Sequence, residues 1–92
     1  MEAKLKAYIF RSPEDTEEIL IQVTSDNYLL VREKLKLEKN KIVDYFNRLK
    51  SDGLIKVIRK PKNKKMQKQL DKLVAVKKQI NKTILDINTL FK

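Results

Sequence analysis

The sequence predicts a mainly α chain with a small β-wing, an α+β class, followed by a long C-terminal helix. Residues 37–52 repeat apolar side chains with the period of a helix, and the only glycine, Gly53, follows at once. Residues 54–59 then turn to β-branched alternation, and residues 66–91 carry apolar heptads. At 92 residues, we expect one small domain over residues 1–65 and a separate helix over 66–92.

Charge is distributed unevenly along the chain. The formal net charge is +10, but residues 1–33 carry 4 basic and 7 acidic side chains, whereas residues 34–92 carry 18 basic and 5 acidic ones. No acidic residue lies between Asp52 and Asp71, a stretch that contains seven Lys or Arg. This pattern predicts a polyanionic partner. The alternative is a solvated, lysine-rich surface.

Other classes of protein fit the composition poorly. The chain has no cysteine and no histidine, so a disulfide framework and the usual zinc or iron ligands are missing, which favours a cytoplasmic protein. No apolar run approaches the ~18 residues that cross a bilayer, so we expect a soluble chain. We find no phosphate-binding glycine loop and no nucleophile beside a base, and the acidic cluster at residues 14–18 fits a helix start better than catalysis. We therefore expect no enzyme, no cofactor and no metal.

The first third of the chain is the hardest to assign. Residues 1–11 fit a strand and a short helix equally well. Ser12 as N-cap, Pro13 at the first helical position and the carboxylates that follow predict a helix to about Val23, with Ile19, Leu20 and Val23 in the core. The β-branched residues within 19–23 leave a strand as the less favoured alternative.

Two further helices are predicted before Gly53. Residues 25–27 predict a turn and an N-cap, followed by a helix that buries Tyr28, Val31 and Leu35. After a turn near Leu37, which we expect in the core, a second helix begins beside Glu38. Its buried face consists of Ile42, Tyr45, Phe46 and Leu49, and its polar face of Asn40, Asp44, Asn47 and Ser51.

The pattern I..YF.RL..DGLI at residues 42–55 resembles the recognition helix and wing of bacterial and archaeal winged helix-turn-helix regulators. The resemblance covers roughly residues 13–65, with Arg32 and Lys36 where the family usually has a small residue and a glycine. It implies double-stranded DNA as partner, with the recognition helix in the major groove and the basic wing on phosphates. The expected DNA contacts are Lys39, Asn40, Lys41, Asp44, Asn47, Arg48, Arg59, Lys60, Lys62, Asn63, Lys64 and Lys65.

The heptads of the last helix predict a dimer. Seven of eight seam positions are apolar, and Lys77 interrupts them, which is one way of fixing register in a coiled coil. The predicted homodimer interface comprises Met66, Leu70, Leu73, Lys77, Ile80, Ile84, Ile87 and Phe91. Parallel and antiparallel pairs both remain possible, and the alternative is a helix that packs back on its own domain.

Two classes of function follow from these observations. The first is a homodimeric, nucleoid-associated DNA-binding protein that acts in transcription regulation, DNA packaging or segregation of a plasmid or chromosome, as the resemblance to small archaeal winged-helix proteins with a C-terminal coiled coil implies. The second is a winged-helix protein-interaction subunit of a larger replication or transcription assembly.

Overall fold

The computed structural model describes residues 2–53 and 64–91, which form two strands followed by two helices. Strands β1 (Glu2–Ser12) and β2 (Asp15–Thr24) form an antiparallel hairpin, and helices α1 (Tyr28–Ser51) and α2 (Lys64–Leu90) follow. The molecule is elongated, with principal dimensions of 47 × 19 × 19 Å. The α+β class is confirmed, but the described elements do not follow the order of a winged helix.

The hairpin replaces the helix that the sequence predicted over residues 13–23. Leu5 faces Ile21, and Ala7 faces Ile19, on the side of the sheet that meets the helices. Pro13 and Glu14 form the two-residue connection at the tip. Proline suits the start of a turn as well as the start of a helix, so the local signal was ambiguous, and the β-branched residues then favoured a strand.

Helix α1 runs without a break through the position of the predicted turn. The helix-turn-helix prediction is therefore wrong for the described residues, and Leu37, which was predicted in the core, is 61% exposed. The helix continues because Arg32 and Lys36 are both good helix formers, whereas a turn at this point would need a residue that tolerates left-handed backbone. The predicted end of the helix is confirmed, because Gly53 has φ +71° and its N–H bonds to the carbonyl of Lys50.

The two helices lie antiparallel. The Arg32 guanidinium donates to Asn88 Oδ1 at 2.8 Å near one end, while the Tyr45 hydroxyl donates to Gln69 Oε1 at 3.2 Å towards the other. Between these contacts the helices and the hairpin share one core, with these side chains buried: Ala7, Val23, Leu35, Ile42, Phe46, Leu49, Leu70, Leu73, Val76, Ile80, Ile87 and Phe91.

The predicted dimer seam belongs to this internal core. Of its eight members, Leu70, Leu73, Ile80, Ile87 and Phe91 are buried within the single chain, and Met66 and Ile84 pack against them. The sequence could not show whether the apolar stripe of this helix packs against a second chain or against its own domain. Both surfaces would bury the stripe equally well. The structure supports the alternative in which the helix packs back on its own domain, because five of the eight predicted seam side chains are buried within the single chain.

Side chains of both helices bind the outer edge of β1. The Thr83 hydroxyl donates to the carbonyl of Lys6 at 2.7 Å, and Glu38 Oε2 accepts from the N–H of Phe10 at 2.8 Å. These bonds satisfy backbone groups that an edge strand would otherwise leave open. Glu38 therefore binds the hairpin from the middle of α1, and the prediction that it lies at a helix start is wrong.

Asn27 fixes the connection from β2 to α1. Its Oδ1 accepts from the N–H of Thr24 at 2.7 Å, and its Nδ2 donates to the carbonyl of Gln22 at 3.1 Å. It occupies the N-cap position of α1, as predicted, although its side chain makes no bond to the helix.

We expect Asn27→Ala to lower the free energy of unfolding by about 1–2 kcal/mol, because two hydrogen bonds to strand backbone are lost. Asn27→Asp keeps the acceptor but places a carboxylate oxygen against the Gln22 carbonyl, so it should cost about as much as the alanine change. Urea denaturation with an unchanged m-value would measure both effects. Equal stability of the alanine variant and the parent would show that these bonds add nothing to stability.

Candidate nucleic-acid interface

Charge differs sharply between the two layers of the molecule. The hairpin, residues 2–24, carries five acidic and three basic side chains. Helix α1 carries seven basic and three acidic side chains, and α2 seven basic and two acidic ones. The hairpin is therefore net −2, while the helices are net +4 and +5. A polyanion would be attracted to the helix layer and repelled from the hairpin.

The side of α1 that points away from the hairpin is basic. Glu38 and Tyr45 mark the side that meets β1, through a hydrogen bond and a ring contact with Phe10. Arg32 lies ~120° around the helix from Glu38, given 100° per residue, and bonds to α2. The strip that continues from Arg32 along this flank contains Lys36, Lys39, Asn40, Val43, Asn47 and Lys50.

A matching strip runs along α2. Thr83 marks the side that meets β1, and Asn88 lies ~140° around the helix from it, where it accepts the bond from Arg32. The same flank of α2 contains Gln67, Val74, Lys77, Lys78, Asn81 and Leu85. The two strips border the groove between the helices, and we call this surface the outer face.

The outer face carries six cations, and the carboxylates of Glu33 and Asp71 lie at its margins. The cations are Arg32, Lys36, Lys39, Lys50, Lys77 and Lys78. Glu33 lies at its margin and pairs with Lys36 at 3.5 Å, but both side chains are about half exposed, so water weakens the attraction. Lys39 and Lys77 are half-buried near the middle of the helix pair. Their positive charge is therefore held close to the groove.

Arg32 is the most constrained cation of the outer face. Its Nη1 bonds to Asn88, while its Nε is buried and has no hydrogen-bond partner among the described residues. An unused donor on a charged side chain is costly to bury, and an anion oxygen in the groove would satisfy it.

The described residues divide the predicted DNA contacts between two surfaces. Asn40 and Asn47 lie on the outer face and are exposed, and Lys39 lies there half-buried. The exposed side chains of Lys41, Asp44 and Arg48 instead line a cleft against the hairpin, with Phe10, Arg11, Ser12, Pro13 and Tyr45. Lys41 also pairs with Glu38 at 2.9 Å. Asn40, Asp44 and Asn47 are nevertheless neighbours, spaced four and three residues apart on one unbroken helix, so the predicted polar face is exposed and continues into this cleft.

The remaining predicted contacts belong to the wing. Lys64 and Lys65 form the exposed start of α2 rather than a wing tip, and Lys65 lines a cleft with Lys68, Lys72 and the hairpin tip. The predicted wing strand at residues 54–59 and the side chains of Arg59, Lys60, Lys62 and Asn63 lie outside the described residues. Sequence analysis missed Arg32, Lys36, Lys50, Lys77 and Lys78 as candidate DNA contacts; the signal was their recurrence at helical spacing along one side of each helix.

Carboxylates of the hairpin are already engaged within it. Arg11 forms a close ion pair with Glu17, which raises the pKa of the guanidinium, and it also lies 3.9 Å from Asp15. Glu18 pairs with Lys6 at 3.5 Å and accepts from the Tyr8 hydroxyl at 2.9 Å. Burial, followed by this bond to Glu18, raises the pKa of Tyr8 above its ordinary value. The hairpin remains net acidic after these pairs, because its five carboxylates outnumber its three cations.

The described residues contain neither a membrane-spanning helix nor a cluster of metal-binding side chains. Neither α1 nor α2 is long and apolar enough to cross a membrane. Within residues 2–53 and 64–91, no three side chains of metal-binding type come together. A comparison with known protein families, curated proteins and solved structures finds no match to this chain.

Proposed function

We propose that this protein binds double-stranded DNA by placing the outer face of its helix pair against the phosphate backbone. The observation that carries the proposal is the excess of cations on that face, six with carboxylates only at its margins, opposite a net-acidic hairpin. Cations on a duplex release condensed counterions, which is the main source of sequence-independent affinity. The acidic hairpin would keep the other side of the molecule turned away from the duplex.

The dimensions of the helix pair favour phosphates over base edges. The major groove is about 12 Å wide and admits one helix. Helix α1 is flanked by α2 on one side and by the hairpin on the other, and the molecule measures 19 Å across both short axes. A surface of that width would rest on the two backbones that border a groove instead of entering it. Asn40 and Asn47 would then bond to phosphate or sugar oxygens.

This proposal differs from the recognition-helix interpretation in one testable respect. A recognition helix reads sequence, whereas the outer face should bind all duplexes about equally. Among the three processes considered from sequence, DNA packaging needs sequence-independent binding most directly, and we propose this class of role.

The test is fluorescence anisotropy of labelled duplexes over a series of salt concentrations. We expect the logarithm of the binding constant to fall linearly with the logarithm of salt, with a slope of about −0.9 per phosphate contacted. Duplexes chosen by selection from a random pool should bind no more than a few times better than the pool. A flat salt response, or no binding at low salt, would exclude the proposal, and a preference of a thousandfold or more would restore specific recognition.

A protein-interaction role has an observation of its own. Leu29, Leu30 and Leu37 are between 51% and 63% exposed on α1, and Leu85 is 63% exposed on α2. Exposed leucines in this number fit a surface that contacts another protein. Failure to bind DNA at low salt would make this the preferred function.

A further inference from the structure

We propose that Lys39 and Lys77 together form a phosphate-binding site in the groove between α1 and α2. Two ammonium groups match the charge of one phosphate dianion, or of two neighbouring phosphodiesters of a nucleic-acid backbone. Because both lysines belong to the outer face, this proposal rests on the proposed function and names the place on that face where phosphate is held. It adds that the same place binds free phosphate in the absence of DNA.

The two lysines lie at the same level of the helix pair. Lys39 lies midway along α1 between the donors of the two inter-helix hydrogen bonds given above. Lys77 lies within two residues of the midpoint between their acceptors on α2. Since the helices are antiparallel, these two midpoints face each other across the groove.

Both lysines also point towards the neighbouring helix. At 100° per residue, Lys39 lies ~20° around α1 from Arg32, and Lys77 lies ~20° around α2 from Asn88. Arg32 and Asn88 bond to each other across the groove. Lys39 and Lys77 are half-buried, as is typical of lysines whose stems pack on apolar surface while the ammonium groups stay in water. Two like charges are thereby held side by side along the groove.

No carboxylate of the described residues forms an ion pair with either lysine. The positions three and four residues away, where an ion pair within a helix would form, hold only apolar side chains, Lys36 and Asn81. The ion pairs within residues 2–53 and 64–91 use other cations, namely Lys6, Arg11, Lys36 and Lys41. Residues 54–63 contain no Asp or Glu in their sequence. The repulsion between the two ammonium groups is therefore left for a dissolved anion to neutralise.

The charge and the neighbouring side chains favour phosphate over a monovalent ion. Lysine binds phosphate as a point charge, and a dianion attracts each ammonium about twice as strongly as chloride does. Lys36 lies one turn before Lys39, and Asn81 lies one turn after Lys77, so they add a cation and an amide donor at the same end of the site. A phosphate bound there would contact both helices and stabilise their packing.

Thermal unfolding in phosphate tests the site without DNA. We expect about 10 mM inorganic phosphate to raise the Tm by ~4 °C or more relative to sodium chloride of equal ionic strength, which corresponds to a Kd of a few millimolar. Replacing Lys39 and Lys77 together with glutamine should abolish this rise. Replacing Lys4 and Lys34, two exposed lysines away from the groove, is the matched control and should leave it unchanged.

The comparison between the two double variants decides the result. Phosphate also stabilises proteins because it is excluded from their surface, and this general effect is the same in both variants. Equal rises in Tm for the two double variants would overturn the proposed site.

Lys77→Leu separates phosphate binding from a packing role. In sodium chloride we expect its Tm to be higher than that of the parent, because the repulsion with Lys39 is removed and an apolar side chain fills the groove. Its response to phosphate should be lost. A variant that unfolds more easily and keeps the phosphate response would show that Lys77 only packs, and would refute the proposal.

Amide chemical shifts of the full chain distinguish the two sources of phosphate. We expect inorganic phosphate and a duplex to shift the backbone amide signals of Lys39 and Lys77 in the same direction. Shifts with inorganic phosphate but no binding of DNA would keep the site, with free phosphate as its ligand, and exclude the proposed function. Binding of DNA without these shifts would overturn the site and leave the proposed function in place.

Discussion

Replacing Lys39, Lys77 and Lys78 together with glutamine should lower the affinity for duplex DNA roughly a hundred- to five-hundredfold at 0.1 M salt. The three side chains lie on the outer face, with Lys39 and Lys77 half-buried beside the groove between the helices. Each phosphate contact contributes about 0.9 to the salt slope, so the loss of three should make the slope shallower by about 2.7. Glutamine keeps much of the aliphatic stem, and the fold should remain intact.

The control must remove the same charge from elsewhere on the surface. Lys4, Lys6 and Lys34 are exposed; the first two belong to β1 and the third to the flank of α1 opposite Lys39. Replacing these three with glutamine changes the net charge equally, so a loss of general attraction alone would affect both triple variants alike. We expect less than a fivefold change in the control. Equal losses in the two variants would show that the outer face has no special role.

Ile80→Asp should unfold the protein. Ile80 is 0% exposed within the core shared by the helices and the hairpin, and the described members of that core are apolar. Burying an unpaired charge costs several kcal/mol in addition to the lost apolar packing, whereas the total stability of a small domain is about 5–15 kcal/mol. Circular dichroism at 25 °C should show loss of the helical signal, and Ile80→Ala should cost about 2–5 kcal/mol.

Leu85→Asp provides the comparison on the same helix. Leu85 is 63% exposed, so the same substitution should change stability by no more than about 0.5 kcal/mol. If Ile80 instead belonged to a seam between chains, Ile80→Asp would yield a folded monomer. That result would contradict the internal core and restore the coiled-coil dimer.

Sequence reasoning succeeded where the local pattern had only one physical interpretation. The buried stripe of Ile42, Phe46 and Leu49 and the end of α1 at Gly53 are confirmed. The helical nature of residues 66–90 is also confirmed over the range that the structure describes. In each case a run of helical spacing extends over several turns, and competing strand periodicity is absent.

The wrong predictions fall at places where the same residues fit two different secondary structures. Ser12 and Pro13 suit both a helix start and a hairpin turn. The apolar residues within 19–23 could form a buried face with either the helical or the strand period. Leu20 shows most clearly how the two structures differ. The predicted helix would place it in the core, whereas the alternation of the observed strand leaves it 69% exposed. The resemblance to winged helix-turn-helix regulators stays a prediction as a family relationship, although the continuous α1 lacks the turn that it implied.

The sequence by itself determined the basic character of the second half, the long amphipathic helices and the α+β class, because charge count and helical period are properties of neighbouring residues. Only the tertiary structure decided what the apolar heptads of α2 contact and which lysines share the outer face. These contacts and surfaces depend on how α2 packs against α1 and the hairpin. Thr83 and Glu38 bond to backbone groups of β1 that lie far from them along the chain. A local sequence pattern cannot predict contacts between such distant residues.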